Sequence, residues 1–328
     1  MLQSGDPVQI QGCSHKLRYL QTSTGNSDLD SLLGGALPNT AVCVVDELNT
    51  RCYGDVLLRY FASEGAHNGH DVLAAGPGSE DLFKRLPKRI EAESKDMKSA
   101  FPDEGLKIAW RYQTVDQKST NVGAPKTRYD LANNLEKPEF SGSRLSHIAE
   151  MDYEAALAKI QQELAKEEYS KEIKGSKKRF LRVVLSNLGS PLWSNLELLP
   201  RFLADLRFAC RHSYAVVMAT IDSGAIQKDL LRTITALSDA MFQLAPIEEN
   251  QRKALGLSDK THGYFKIIRL PCLHTTLAFK PAATDLTFEL HRRHFDIKVL
   301  HLPPAFEDYS TTKEPPKGGS CSAGLSAF

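Results

Sequence analysis

The residues of this sequence best placed for chemistry are Asp46 and Glu47, two carboxylates that close an apolar run from Thr40 to Val45. The end of such a strand is where a nucleotide-binding protein places its phosphate loop. Backbone N–H groups of a glycine-rich turn surround the phosphates, a lysine neutralises charge and a Ser or Thr holds Mg²⁺, in the pattern GxxxxGK[ST]. The chain instead reads Asp46-Glu47-Leu48-Asn49-Thr50-Arg51-Cys52-Tyr53-Gly54-Asp55, with one glycine, no lysine and no GK[ST]. Two carboxylates here repel a triphosphate unless a metal intervenes. The second requirement is a carboxylate at the end of a later strand, holding the metal through water. The strand-like run Phe180 to Leu185 leads instead into Ser186 and Asn187, both uncharged. Mg²⁺ and phosphate positioning supply most of the catalysis of ATP hydrolysis. With both halves missing, autonomous hydrolysis is not expected, and Arg51 reads as a surface arginine rather than a substitute lysine.

Other chemistry is no better supported. His291 and His294 stand at i, i+3 with Arg292 and Arg293 between them, and the two cations disfavour a divalent metal, so this run reads as basic surface with no metal site. His301 reads as a structural histidine. Asp71, Asp222 and Asp239 fall near strand ends, where carboxylates serve as caps and turn formers. The six cysteines, Cys13, Cys43, Cys52, Cys210, Cys272 and Cys321, include no CxxC pair and read as reduced structural thiols. No nucleophile, base and orienting partner are linked by the sequence, so no catalytic residue is assigned.

The elements that must position the Asp46 end follow from periodicity. Ser27 caps a short helix carrying Leu29, Leu32 and Leu33, and Gly34-Gly35 end it where φ must be positive. Thr40 to Val45, rich in β-branched residues, suits a strand buried on both faces. Val56, Leu57, Tyr60 and Phe61 give an amphipathic helix ending near His67 to Gly69, and Asp71 to Gly76 a second strand. Leu82, Phe83, Leu86 and Ile90 share one expected helix inside a polar insertion over 76–105. Leu106 to Tyr112 reads as a strand, and 113–150 as a second polar insertion. Asp152 caps a helix carrying Leu157, Ile160 and Leu164, and the run from Lys166 to Arg179 reads as a solvated loop. The strand from Phe180, a helix with Leu199, Phe202, Leu203, Leu206 and Cys210, a strand Tyr214 to Ile221, a helix Ile226 to Leu237, the strands Asp239 to Leu244 and Gly263 to Leu270, and a last strand Phe295 to Leu302 complete the pattern.

Strands alternating with helices over 328 residues, 41% of them hydrophobic and 25% charged, predict one α/β domain with a mostly parallel central sheet. The domain is read over 19–308, between a flexible arm at 1–18 and a flexible tail at 309–328. The net charge of +1 gives no overall field for nucleic acid. No run approaches the roughly 18 apolar residues of a membrane span, and the expected location is cytosolic or nuclear.

The order STG, LDxLLGG, LP and apolar strand resembles the entry to a RecA-like (P-loop NTPase-like) core with a degenerate nucleotide site. The stretches TSTGNSDLDSLLGGALP, LKIAWRYQ, NLGSPLW, TALSD and above all RRHFDIKVLHLPP, with the glycine-containing tail ending at Phe328, resemble the PAXNEB family, the fourth subunits of the Elongator complex. The resemblance spans Thr22 to Pro304 and the tail, departing from many relatives at Ala36. It implies a RecA-like fold without working nucleotide motifs. It also implies a hetero-hexameric ring with the fifth and sixth subunits, partnership with the catalytic subunits, binding of tRNA and support of wobble-uridine modification. This subunit then carries no cofactor of its own, while ATP is allowed at ring interfaces. The loops after two core strands, Asn187 to Asn195 and Asp222 to Arg232, would face the ring channel, making Lys228 and Arg232 the candidate tRNA contacts. Two other readings compete: an ATPase with an unorthodox phosphate site around Arg51 and Gly54, and a regulatory nuclear interaction protein.

Overall fold

A helix N-terminus that follows a buried parallel strand after a single loop is the organising feature of the computed structural model, which describes residues 8–16, 19–50, 53–90, 128–135, 142–173 and 177–300. In chain order, β1 (Cys13–Lys16) and β2 (Tyr19–Thr22) lead into α1 (Ser27–Leu32), β3 (Leu37–Pro38), β4 (Val42–Asp46), α2 (Tyr53–His67) and β5 (Asp71–Ala75). Then come α3 (Ser79–Leu82), β6 (Pro87–Ile90), β7 (Arg128–Asn134), β8 (Leu145–Ile148), α4 (Tyr153–Leu164), β9 (Leu181–Leu188), α5 (Leu199–Arg211) and β10 (Ala215–Ile221). The chain continues through α6 (Lys228–Leu237), β11 (Ala240–Pro246), α7 (Glu249–Ala254), β12 (Gly263–Arg269), β13 (Leu286–Leu290) and β14 (Phe295–Val299).

Nine strands form the central sheet in the order β14-β13-β12-β11-β4-β10-β9-β5-β8. The six from β11 to β8 run parallel and the other three add antiparallel, as expected of a RecA-like core. Alternation splits β4 between two cores. Cys43 and Val45 pack on the side of Leu57 and Phe61 from α2, while Val42 and Val44 join Ile160, Phe202, Leu206 and Ile234 from α4, α5 and α6. All five β4 residues are buried, which is why the run carries no polar alternation. No helix of the described residues is long and apolar enough to cross a membrane.

Several local readings change. Asn26, not Ser27, caps α1, its Oδ1 accepting from Asp28 N at 3.1 Å and Leu29 N at 2.9 Å. Gly34 and Gly35 do carry positive φ, 81° and 130°. Within the arm read as flexible, Cys13–Lys16 pairs with β2, because His70 reaches back to the Gln11 carbonyl at 2.6 Å. The expected helix through Ile90 stops at Leu82, and Pro87 opens β6, paired with β7. Part of the second insertion is β8, which joins the sheet beside β5; as a half-exposed edge strand it carries little apolar signal. Leu106 to Tyr112, Arg51, Cys52, His301 and the 309–328 tail lie outside the described residues.

One fully buried charge ties the layers together. Arg182 on β9 donates to the Ser23 carbonyl at 2.9 Å, the Phe61 carbonyl at 3.0 Å, Thr22 Oγ1 at 2.6 Å and His70 Nδ1 at 3.1 Å, with its guanidinium 4.7 Å from the Phe61 ring centroid. Gly65 makes room: a Cβ there would lie 2.6 Å from Arg182 Cδ. Burial first, then the adjacent Arg182, push the His70 imidazole down to about 3, so it stays neutral with its Nε2–H on Gln11. Arg182→Ala leaves these acceptors orphaned around a cavity, and a loss of about 3–4 kcal/mol is expected from the denaturant midpoint. Arg182→Lys should recover little of it, because one ammonium cannot reproduce the planar fork. Full rescue by lysine would show that charge alone matters.

Candidate functional site

The C-terminal ends of β4, β10 and β11 meet at Asp46, where Ile221 and Gln243 are its register partners. Asp46 is fully buried and completely engaged. Its Oδ1 accepts from Ser223 N at 2.9 Å and Leu48 N at 3.1 Å, and its Oδ2 accepts from Gln243 Nε2 at 2.6 Å. Asp222 plays the matching part from β10, accepting from Asn49 N at 2.9 Å and Gly224 N at 3.0 Å. Between them the loop passes through Leu48 and Asn49 with φ of 37° and 59°, a left-handed passage that a leucine adopts only when its surroundings impose it.

Glu47 occupies the place that chemistry reserves for phosphate. Its Oε1 accepts the Gly54 amide at 2.6 Å, at the N-terminal turn of α2, where unpaired N–H groups and the helix dipole favour an anion. Glu47 is 5% exposed, and a Cβ at Gly54 would sit 2.8 Å from both Glu47 Oε1 and Thr220 Cγ2. The cradle is therefore filled by the chain's own carboxylate, with no room between carboxylate and helix. On the β9 side, Asn187 N donates to Thr220 Oγ1 at 2.9 Å, and neither Ser186 nor Asn187 adds a charge. The sequence placed Asp46 and Glu47 at this strand end correctly. That one would plug the helix terminus and the other pin the neighbouring loop lies in the register of β4 against β10 and β11, which spacing along the chain does not carry.

The other residues that the sequence singles out disperse. Lys228 and Arg232 lie one turn apart on exposed α6, Arg232 paired with Asp229 at 3.0 Å and Lys228 in no ion pair among the described residues. Asp71 and Asp239 are held in structural networks. Asp71 takes Arg179, Arg144 at 2.9 Å and the Tyr169 hydroxyl; burial alone would raise its carboxyl, but these donors outweigh it and hold the group well below the usual range. Arg179, read as part of a solvated run, is thereby committed. Asp239 accepts from Val42 N at 3.0 Å and from Arg207. His291 and His294, read together as basic surface, have ring centroids 4.5 Å apart.

Burial, opposed by the Gly54 amide and helped by Asp222, Asp55 and Asp46, pushes the Glu47 carboxyl up to about 7 from 4.5. A raised folded-state value means the folded protein holds this proton more tightly than the unfolded chain. That advantage is complete below about pH 4.5 and is lost as pH rises through 7, an order of ~3 kcal/mol at most. Glu47→Gln keeps an oxygen for Gly54 without the charge. It should match the wild type near pH 4.5 and exceed it in stability by up to ~3 kcal/mol at pH 8, read from urea unfolding at both. An equal difference at the two pH values would contradict a buried, proton-binding Glu47.

Comparison with known proteins places this geometry in a context. The profile of the family described as PAXNEB protein matches residues 9–325. Elongator complex protein 4 of Homo sapiens is 28% identical over 347 residues, spanning 92% of this chain and 81% of that protein. That of Xenopus laevis is 29% identical, spanning 88% and 81%, and that of Schizosaccharomyces pombe 28% identical, spanning 94% and 91%.

Proposed function

The chain belongs to the PAXNEB family, and from that we propose that it serves as a non-catalytic accessory subunit of an Elongator-type complex. In this reading its RecA-like body assembles with two related chains, counterparts of the fifth and sixth subunits, into a hetero-hexameric ring in the cytoplasm and nucleus. The ring handles tRNA while the catalytic subunits modify its wobble uridine. Relatives along nearly the whole chain carry the Elongator name, which supports membership of such a complex.

The observation that carries the non-catalytic part is the Glu47 carboxylate on the Gly54 amide. A phosphate would have to displace a buried acceptor from the helix terminus that follows β4, against the repulsion of Asp46 and Asp222 nearby. This also weighs against an independent ATPase built around Gly54. ATP held between ring subunits, on groups from neighbouring chains, is compatible with the proposal.

Lys228 and Arg232 fit phosphate-backbone contacts by charge and exposure. In a reconstituted ring, the charge reversals K228E and R232E together should weaken tRNA binding about tenfold or more at moderate salt and reduce the slope of log affinity against log salt by about 2. Unchanged affinity and slope would remove these residues from the tRNA surface. Affinity purification of the tagged chain tests the assembly itself: two further RecA-like chains are expected in equal amounts, and recovery of the chain alone under gentle conditions would contradict it.

A further inference from the structure

The hairpin β13–β14 sits at one end of the sheet and turns through His291-Arg292-Arg293-His294, closed by His291 N donating to the His294 carbonyl at 2.8 Å. Its register pairs Glu289 with Asp296 and Leu290 with Phe295. Side chains alternate along a strand, so Phe288, Phe295 and Ile297 go into the core. Glu289 and His291 on one strand, with His294, Asp296 and Lys298 on the other, share the opposite face. The contacts agree: His291 Nε2 lies 3.1 Å from Glu289 Oε2 and 3.8 Å from Asp296 Oδ2, and His294 Nε2 lies 3.4 Å from the same Asp296 oxygen.

We propose that His291, His294 and Asp296 form a binding site for a borderline divalent transition metal of the Zn²⁺ class, with Glu289 as the fourth ligand. The donor set is that of a zinc site, two imidazoles and carboxylates. One ligand atom from each of the three residues already lies within 4.8 Å of the others. A tetrahedral ion bound at 2.0–2.1 Å asks for about 3.3 Å between ligand atoms, a closure that side-chain rotation on the half-exposed face can supply. The rigid hairpin, with its buried aromatic side, holds the backbone for it.

Besides Arg292, exposed in the turn, two cations bear on the site. Arg293 does not oppose the metal at close range, since its Nε turns to Asp130 Oδ2 at 3.8 Å. Lys298 does: its Nζ sits 2.6 Å from Glu289 Oε2 and 3.7 Å from Asp296 Oδ2, the oxygens the metal needs. Lys298 therefore acts as the resident cation that an incoming ion displaces, and the site binds more weakly than a site without it. Metal binding would clamp the turn whose Arg293 carbonyl also accepts from Leu131 N of β7 at 2.8 Å, joining the small β6–β7 sheet to the main one.

The test is calorimetric titration of ZnCl2 into the metal-stripped full chain at pH 7.5, with the exposed Cys272 replaced by Ser throughout to remove a thiol ligand. One ion per chain with micromolar affinity is expected, and the substitutions H291N and H294N together should weaken it at least 30-fold. Lys298→Met should tighten it severalfold, and His15→Asn, remote in the sequence and bonded to the Val8 carbonyl, should leave it unchanged. Unfolding midpoints without metal confirm that each variant is folded, and Asp296→Asn gives a second, single-atom route to the same loss. No saturable uptake by the wild type, or equal uptake by the double histidine variant, would overturn the site. An affinity unmoved by Lys298→Met would overturn the displacement of Lys298.

Discussion

A helix that follows a buried strand after a single loop presents unpaired amides at its first turn, and a hydrogen-bond acceptor must answer them. Here the answer is Glu47, one residue past the end of β4, and much of the neighbourhood depends on it. With Glu47 turned back onto Gly54, the Thr50 amide also returns to the Glu47 carbonyl at 2.8 Å. The left-handed passage at Leu48 and Asn49 is then held from both sides by Asp46 and Asp222. Acidic residues that look hostile to phosphate in the linear sequence are, in three dimensions, the groups that satisfy the amides phosphate would have used.

The rest of the core ties the two ends of the chain together. The opening stretch and the C-terminal motif, nearly the whole chain apart, meet on α1. Asn26 Nδ2 donates to the Phe295 carbonyl at 3.0 Å, Asp28 Oδ2 accepts from Ile297 N at 3.0 Å, and the Tyr60 hydroxyl accepts from Phe295 N at 3.0 Å. Asp30, partly buried beneath, accepts from Ser23, Thr24 and the Thr24 amide, and desolvation pushes its carboxyl up to about 6. The Ser-Thr-Gly that in other contexts introduces a nucleotide domain thus braces α1 through Asp30, and the neighbouring Asn26 and Asp28 receive β14. These are architectural uses of residues that resemble functional ones.

Much of this was legible beforehand and some was not, for physical reasons. The buried parallel strands β4, β5, β9 and β10 announce themselves because strands covered on both faces must be apolar throughout. The long helices follow from their apolar stripes. Edge strands such as β8, exposed on half of its residues, lack that mark, and β1 is ordered through partners distant in the sequence, His70 among them. The candidate site was located but its state was not: charge and glycine counts rule out a standard phosphate loop, whereas the Glu47–Gly54 contact depends on tertiary register. The His291–His294 cluster was half visible. Phe295 and Ile297 alternating inward already place His294 and Asp296 outward together, but the partner strand that brings Glu289 and His291 opposite them is known only from the fold.

The central claim is that the phosphate cradle of this chain is closed by its own Glu47 side chain. Equilibrium titration of the isolated chain with a fluorescent ATP analogue in Mg²⁺ addresses it most directly. The account predicts no saturable binding up to millimolar nucleotide. Micromolar binding that is lost when Gly54 is replaced by a bulkier residue would place a nucleotide where Glu47 is held to be, and would contradict it.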